Sequence, residues 1–171
     1  MIKNITGMLL IVFCANTLLS QSNNRQISDA WGESDHGVQL SITISNSVVA
    51  VGSEFIIAAE IKNSSTNIIY FGESSPEMDF NVILTSGVGK IFKLTPPAVV
   101  FARLLHMDLK PRETRNWIIH VGVDRYFEPP GLAAINKNIE AGNYTLKATR
   151  FFSFKTGRHE LASNSIELLI K

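Results

Sequence analysis

From Val38 onward, apolar and polar residues alternate along much of the chain. Val38, Leu40, Ile42 and Ile44 are interleaved with Gln39, Ser41 and Thr43. A period of two places the apolar set on one face of a half-buried strand. After a turn at Val51-Gly52, the pattern returns at Phe55, Ile57, Ala59 and Ile61 and stops at the polar cluster Asn63-Ser64-Ser65-Thr66-Asn67. Ile68 to Phe71 is a short run of strand formers. Phe80, Val82 and Leu84 predict another strand, closed by Ser86-Gly87-Val88-Gly89, with Ile91 to Leu94 as its hairpin partner. Trp117, Ile119 and Val121 alternate, as do Tyr144, Leu146 and Ala148, and finally Ile166, Leu168 and Ile170. About eight short strands with turn residues between them predict an all-β sandwich.

Two stretches break the pattern. Pro96 to Lys110 contains AVVFARLLHMDL, which reads either as an irregular crossover or as one or two helical turns. Glu128 to Glu140 opens with Pro129-Pro130-Gly131 and reads as a long surface loop. Within the strand pattern, Gly52 and Gly142 sit where a turn often needs positive φ. Asn63 and Ser64 carry side chains able to satisfy a turn backbone.

The first residues follow a different logic. Lys3 supplies a positive charge and Gly7 to Ala15 an apolar stretch of nine residues, before small and polar text. This is the layout of a secretory signal peptide, and the stretch is short of the roughly 20 residues a membrane helix needs. Residues 1–20 are therefore expected to be a signal peptide, 21–30 a polar lead-in and 31–171 the folded domain. Lipidation at Cys14 is disfavoured by the bulky Phe13 before it. Removing 1–20 takes away Lys3 and Cys14, leaving a cysteine-free chain of balanced charge with no further run long enough to span a membrane. The expected location is exported: periplasmic, cell-surface or extracellular. With no thiol, such a domain has to cohere by packing alone.

Three groups of residues carry a resemblance. They are Trp31-Gly32 with Gly37-Val38-Gln39-Leu40-Ser41-Ile42; Gly52-Ser53-Glu54-Phe55 leading to Ile61-Lys62-Asn63-Ser64-Ser65; and Leu109-Lys110-Pro111-Arg112-Glu113-Thr114 with Ala141-Gly142-Asn143-Tyr144-Thr145-Leu146 and Ser163-Asn164-Ser165-Ile166. Together they resemble small exported bacterial domains of uncharacterised function with an immunoglobulin-like sandwich. A more distant likeness is to the fold of bacterial intracellular proteinase inhibitors. The resemblance implies a single immunoglobulin-like antiparallel sandwich of about seven or eight strands. Trp31, Gly52, Asn63, Trp117, Gly142 and Tyr144 are then structural positions. Tyr144, after the Ala-Gly-Asn turn, stands where a tyrosine corner stands near the start of the penultimate strand, its hydroxyl reaching back across the connection. Leu146 takes the place of an antibody domain's second disulfide cysteine.

Charge and chemistry narrow the function. Sixteen Lys plus Arg against fifteen Asp plus Glu give a formal charge of +1, without the basic excess of a nucleic-acid binder. No G-x-S-x-G elbow or His–Ser motif points to a nucleophile. Gly87-Val88-Gly89-Lys90 lacks the helix of a phosphate loop and reads as a hairpin turn. Four histidines, at 36, 106, 120 and 159, show no close ligand spacing. Asp35-His36 and His106-Met107-Asp108 are the pairs that offer ligands, but the expectation is ordinary surface histidines, with no metal and no cofactor. Arg103, Lys110, Arg112 and Arg115, with Arg150, Lys155, Arg158 and His159, read as a solvated face diluted by Asp108, Glu113 and Glu160.

Aromatic residues are the remaining signal. Phe151 and Phe152 are adjacent, so a strand points them to opposite faces. Either the outward ring is covered by the 96–110 segment, or it joins an exposed patch with Tyr126 and Phe127. The sequence thus predicts a non-catalytic binding module, with an unknown protein or glycan of the cell envelope as partner. The candidate partner-binding residues are Glu73, Pro76 and Met78 in the 72–79 loop, and Tyr126 and Phe127 in the 124–140 loop. A proteinase inhibitor acting through a loop and a carbohydrate- or envelope-binding module are the alternatives.

Overall fold

The computed structural model describes residues 30–95, 105–123, 127–128, 139–155 and 157–171. The leader, most of the lead-in, the 96–104 part of the crossover, Tyr126 and most of the 124–140 loop lie outside these residues. The chain is mostly β. Its strands are β1 (Val38–Ile44), β2 (Val48–Val49), β3 (Glu54–Asn63), β4 (Ile69–Glu73), β5 (Asn81–Ser86), β6 (Ile91–Leu94), β7 (Leu105–Leu109), β8 (Thr114–Gly122), β9 (Phe127–Glu128), β10 (Gly142–Phe154), β11 (Gly157–Ala162) and β12 (Ile166–Ile170). A single helical turn, α1 (Pro76–Asp79), joins β4 to β5.

Two sheets form. In one, β3 pairs antiparallel with β1 and β8, so that Ile42 faces Ala59 and Ala59 faces Trp117. The other is organised by the 13-residue β10. Its first half lies between β12 and β5, with Leu146 opposite both Ile166 and Leu84. Its second half pairs with β11, and touches β4 at Ser153 and Tyr70. β7 extends the sheet from β4, while β6 and β9 extend it from β5. β2 joins β12 in parallel.

Strand parity sets the core. Val38, Leu40, Ile42 and Ile44 of β1, Phe55, Ile57, Ala59 and Ile61 of β3, and Trp117, Ile119 and Val121 of β8 are all buried. On the other sheet, Val82, Leu84, Phe92, Leu146, Ala148, Phe152, Ile166 and Leu168 belong to the same cluster. Residues between them are mostly exposed or half-buried, as a period of two requires.

Some elements differ from the pattern read in the sequence. Within Pro96–Lys110, residues 105–109 form β7 and no helical turn, because pairing of Phe71 with Met107 and Ile69 with Leu109 buries both partners. Local helix propensity yields to a tertiary partner there. The 72–79 loop is not all loop, since Pro76 starts α1 at a position that needs no N–H donor. β10 is followed by two strands, so Tyr144 opens the third strand from the end.

Side-chain amides and hydroxyls tie the turns where no disulfide is present. Buried Asn63 donates through Nδ2 to the carbonyls of Asn67, Leu109 and Lys110, at 2.8, 3.0 and 3.1 Å. Its Oδ1 accepts from the Ser65 amide and hydroxyl. Asn164, between β11 and β12, clamps the backbone of Ile42 in the opposite sheet: the Ile42 N–H donates to Oδ1 at 2.8 Å, and Nδ2 donates to the Ile42 carbonyl at 3.1 Å. Gly52 turns the chain at φ 80°, and Gly142 begins β10 at φ 158°. Gly32 packs so closely on the Ala162 carbonyl that no side chain fits.

Tyr144 is buried beside Phe92, and its hydroxyl donates to the Glu140 carbonyl at 2.8 Å. Burial pushes its pKa above the ordinary value near 10, with the bond to Glu140 opposing. A raised acid pKa means that the folded chain holds the proton more tightly. The associated stability is complete below pH 10 and is lost as pH rises beyond it. Tyr144→Phe is expected to destabilise the fold by about 1 kcal/mol and lower Tm by about 3 °C. It should also reduce the loss of stability above pH 10, as thermal melts across pH 7 to 11 will read.

Candidate functional site

Parity along Ala148-Thr149-Arg150-Phe151-Phe152-Ser153-Phe154 sends Ala148, Arg150, Phe152 and Phe154 inward and leaves Phe151 and Ser153 exposed. Arg150 is therefore a cation in the core, 2% exposed. Its guanidinium carbon lies 4.4 Å from the ring centre of Trp117, 4.6 Å from that of Phe80 and 5.1 Å from that of Phe71. Nη2 donates to the Gly72 carbonyl at 3.2 Å and lies 3.4 Å from Asp79 Oδ2. Asp79 is itself held by the Ser74 amide and hydroxyl. Glu73 accepts from the Trp117 indole N–H at 3.0 Å. Nη1 has no hydrogen-bond partner among the described residues. Burial draws the Arg150 pKa below the usual arginine range, and the negative charges of Asp79 and Glu73 pull it back.

Above this group the sheet is open. β5 pairs with β10 only as far as Asn81 opposite Thr149, and β4 meets it at Ser153, with α1 crossing between. The resulting notch encloses about 360 Å³, with Arg150 and Asp79 in its floor and Tyr70, Met78, Phe151 and Arg158 around it. The aromatic walls face solvent: Tyr70 is 52% and Phe151 44% exposed. Arg158 lies 3.9 Å above the Phe151 ring and adds a cation to the rim. A second depression of about 300 Å³ lies between the β5–β6 turn and Tyr144.

The candidate residues named from the sequence divide here. Met78 reaches the notch and is 46% exposed. Glu73 turns to Trp117, and half-buried Pro76 begins α1. Tyr126 lies outside the described residues, and Phe127 is described only as backbone in β9, opposite Leu94. Of the structural set, Trp31 is half-buried beneath Lys62, and Trp117 is in the core. Arg150 does not belong to a solvated basic face, because strand parity carries it into the core. Arg115, another of that run, pairs with Glu113 at 3.2 Å. Sequence reasoning gave no site role to Tyr70, and it put Arg150 and Arg158 together on a solvated face, where of the two only Arg158 is exposed. The adjacent Phe151-Phe152 pair was the signal for an outward ring, and the same parity applied one residue earlier sends Arg150 inward.

The histidines also separate. His106 and His120 are exposed, whereas His36 and His159 come together beside Asp35, with all three ligand atoms within 4.8 Å of one another.

No family model matches the chain, and no curated protein matches it. Among solved structures, it is similar to the C-terminal domain of wzt, at 10% identity over 82% of this chain and 76% of that one, with a TM-score of 0.47. It is similar to the alkylpurine DNA glycosylase AlkC of Pseudomonas fluorescens, at 9% identity over 79% and 30% of the two chains, with a TM-score of 0.43. A third likeness, to the β-glucosidase of Listeria innocua, has 11% identity over 82% and 17%, with a TM-score of 0.41. Likenesses of this degree assign neither a family nor an activity.

Arg150→Met is expected to destabilise the chain by about 3–5 kcal/mol, because Asp79 is left buried without its counter-charge. The double variant Arg150→Met/Asp79→Asn should lose less than the two single changes added together, a coupling that denaturant melts of the four proteins will measure.

Proposed function

We propose that this chain is an exported immunoglobulin-like β-sandwich that works by binding and not by catalysis, and that its partner docks in the notch beside β10. The observation that carries the reading is the exposure of Tyr70 and Phe151 on the walls of one concavity with a rigid floor. Large rings left in water beside a depression lower the free energy of contact with another flat apolar face. The rings need little ordering, because their strands are held through Arg150 and Asp79 beneath them. A sugar ring of an envelope glycan offers the matching face, with hydroxyls for Arg158 and Asp79 to engage.

The sandwich reading is supported by the two sheets sharing one core and by the reach of Tyr144 back to Glu140. Export is supported by the charge and hydrophobic layout of residues 1–20.

Tyr70→Ala and Phe151→Ala alter exposed positions and should each change stability by less than about 1 kcal/mol. Each is expected to weaken binding to solubilised envelope polysaccharide at least tenfold, about 1.4 kcal/mol. Calorimetric titration of the full chain checks this. The reading is abandoned if no saturable binding occurs, or if both variants bind as the parent does.

A further inference from the structure

On the opposite face of the β10–β11 hairpin, a second group of side chains converges. We infer that Asp35, His36 and His159 form a binding site for one divalent transition-metal ion of the zinc type. This rests on different residues from the notch and stands independently of it.

The three come from distant parts of the chain. Asp35 and His36 lie in the tight turn that enters β1, where the Asp35 and Val38 backbones exchange two hydrogen bonds, of 3.0 and 2.8 Å. The two residues between them, His36 and Gly37, have φ of 51° and 82°. Two successive positive φ values are the pattern of a type I′ turn, whose first central residue is most often Asn, Asp or Gly. An imidazole there is held in a conformation that most side chains avoid. His159 arrives from β11, opposite Phe152.

The three side chains converge within reach of one ion. Asp35 Oδ2 lies 3.1 Å from His159 Nδ1, while Asp35 Oδ1 lies 3.6 Å from His36 Nε2. The first is a good hydrogen bond, but the second is too long for one. Ligands about 2.0–2.1 Å from a tetrahedral ion are themselves about 3.3–3.4 Å apart. Those two contacts use different oxygens of the carboxylate, and one ligand atom from each of the three residues lies within 4.8 Å of the other two, so side-chain rotations that close the widest gap by at most about 1.5 Å bring both imidazoles and the carboxylate onto one ion.

The ligands are also positioned by their surroundings. His36 stacks on Phe154 with ring centres 4.7 Å apart and planes at 19°, and meets His159 edge-on at 4.5 Å. Phe152 lies 5.2 Å from His159 on another side. Gly157 leaves the space that His159 uses, because a Cβ there would come within 2.8 Å of Nε2. The Asp35 and His36 side chains are 36% and 45% exposed, so an ion can enter from solvent and retain water. Two imidazoles with one carboxylate suit zinc, copper or nickel and not calcium or magnesium.

Titration of the chelator-treated full chain with zinc chloride, followed by calorimetry, is expected to saturate at one ion per chain. Loss of a hydrogen-bonding partner behind a metal ligand weakens metal affinity about 10–100-fold, so loss of a ligand itself should exceed about 100-fold. His36→Asn keeps a residue that tolerates the turn, and it and His159→Asn should both show that loss, while His106→Ala should not. Cobalt(II) bound to the parent should give visible absorption bands that are absent from the two ligand variants. The inference is overturned if the parent shows no saturable zinc binding and no cobalt spectrum. It is equally overturned if His36→Asn and His159→Asn bind zinc as the parent does.

Discussion

A buried positive charge holds the two sheets in register. Arg150 belongs to β10, yet the rings around it come from β4, from the entry to β5 and, with Trp117, from the other sheet, while its carboxylate partner ends α1. An unpaired cation in such a place would cost far more than any single apolar contact returns. The arrangement is therefore nearly all-or-none: the aromatic faces, Asp79 and the Gly72 carbonyl have to converge together. Apolar packing alone would accept sliding of one sheet on the other, but a directional group at the centre accepts one alignment. The opening between β4 and β5 follows from this, because α1 is drawn onto the guanidinium and strand pairing does not run on through that stretch.

Much of the fold was legible in the sequence because parity is a local property. Val38 to Ile44, Phe55 to Ile61 and Ile166 to Ile170 declare both their strands and their inner faces. β7 and β11 were harder. Leu105–Leu109 lies in a stretch whose sequence also allowed helical turns, and Gly157–Ala162 has few apolar residues, so each is a strand by virtue of its neighbour. The candidate sites were less legible still. Tyr70 and Phe151 become walls of one notch only because Tyr70 is registered against Ser153. Asp35 and His159 meet across 124 residues of chain. No spacing rule connects them, since the distance between them is set by two separate hairpins and the packing of Phe154.

Hydrogen-bonding side chains do here what disulfides do in many small folds. Asn63 and Asn164 each imitate a length of backbone, and both are tied to polar groups of other elements. Such ties are reversible and insensitive to the redox state of the surroundings. They also demand full satisfaction, because an amide buried with one partner missing loses more than the remaining bond gains.

The position of β10 in the chain has a consequence for timing. The described strands of the second sheet meet through Gly142–Phe154, and that strand is synthesised after β2, β4, β5, β6, β7 and β9. Until it emerges, β4–β7 and β5–β6 are isolated ribbons, and two-stranded ribbons are marginal in water. The second sheet consequently closes only once β10 has emerged, through contacts of long sequence separation, which makes for slow folding. A polypeptide built in this order keeps the ribbons of its second sheet separate, and threadable, until that strand arrives.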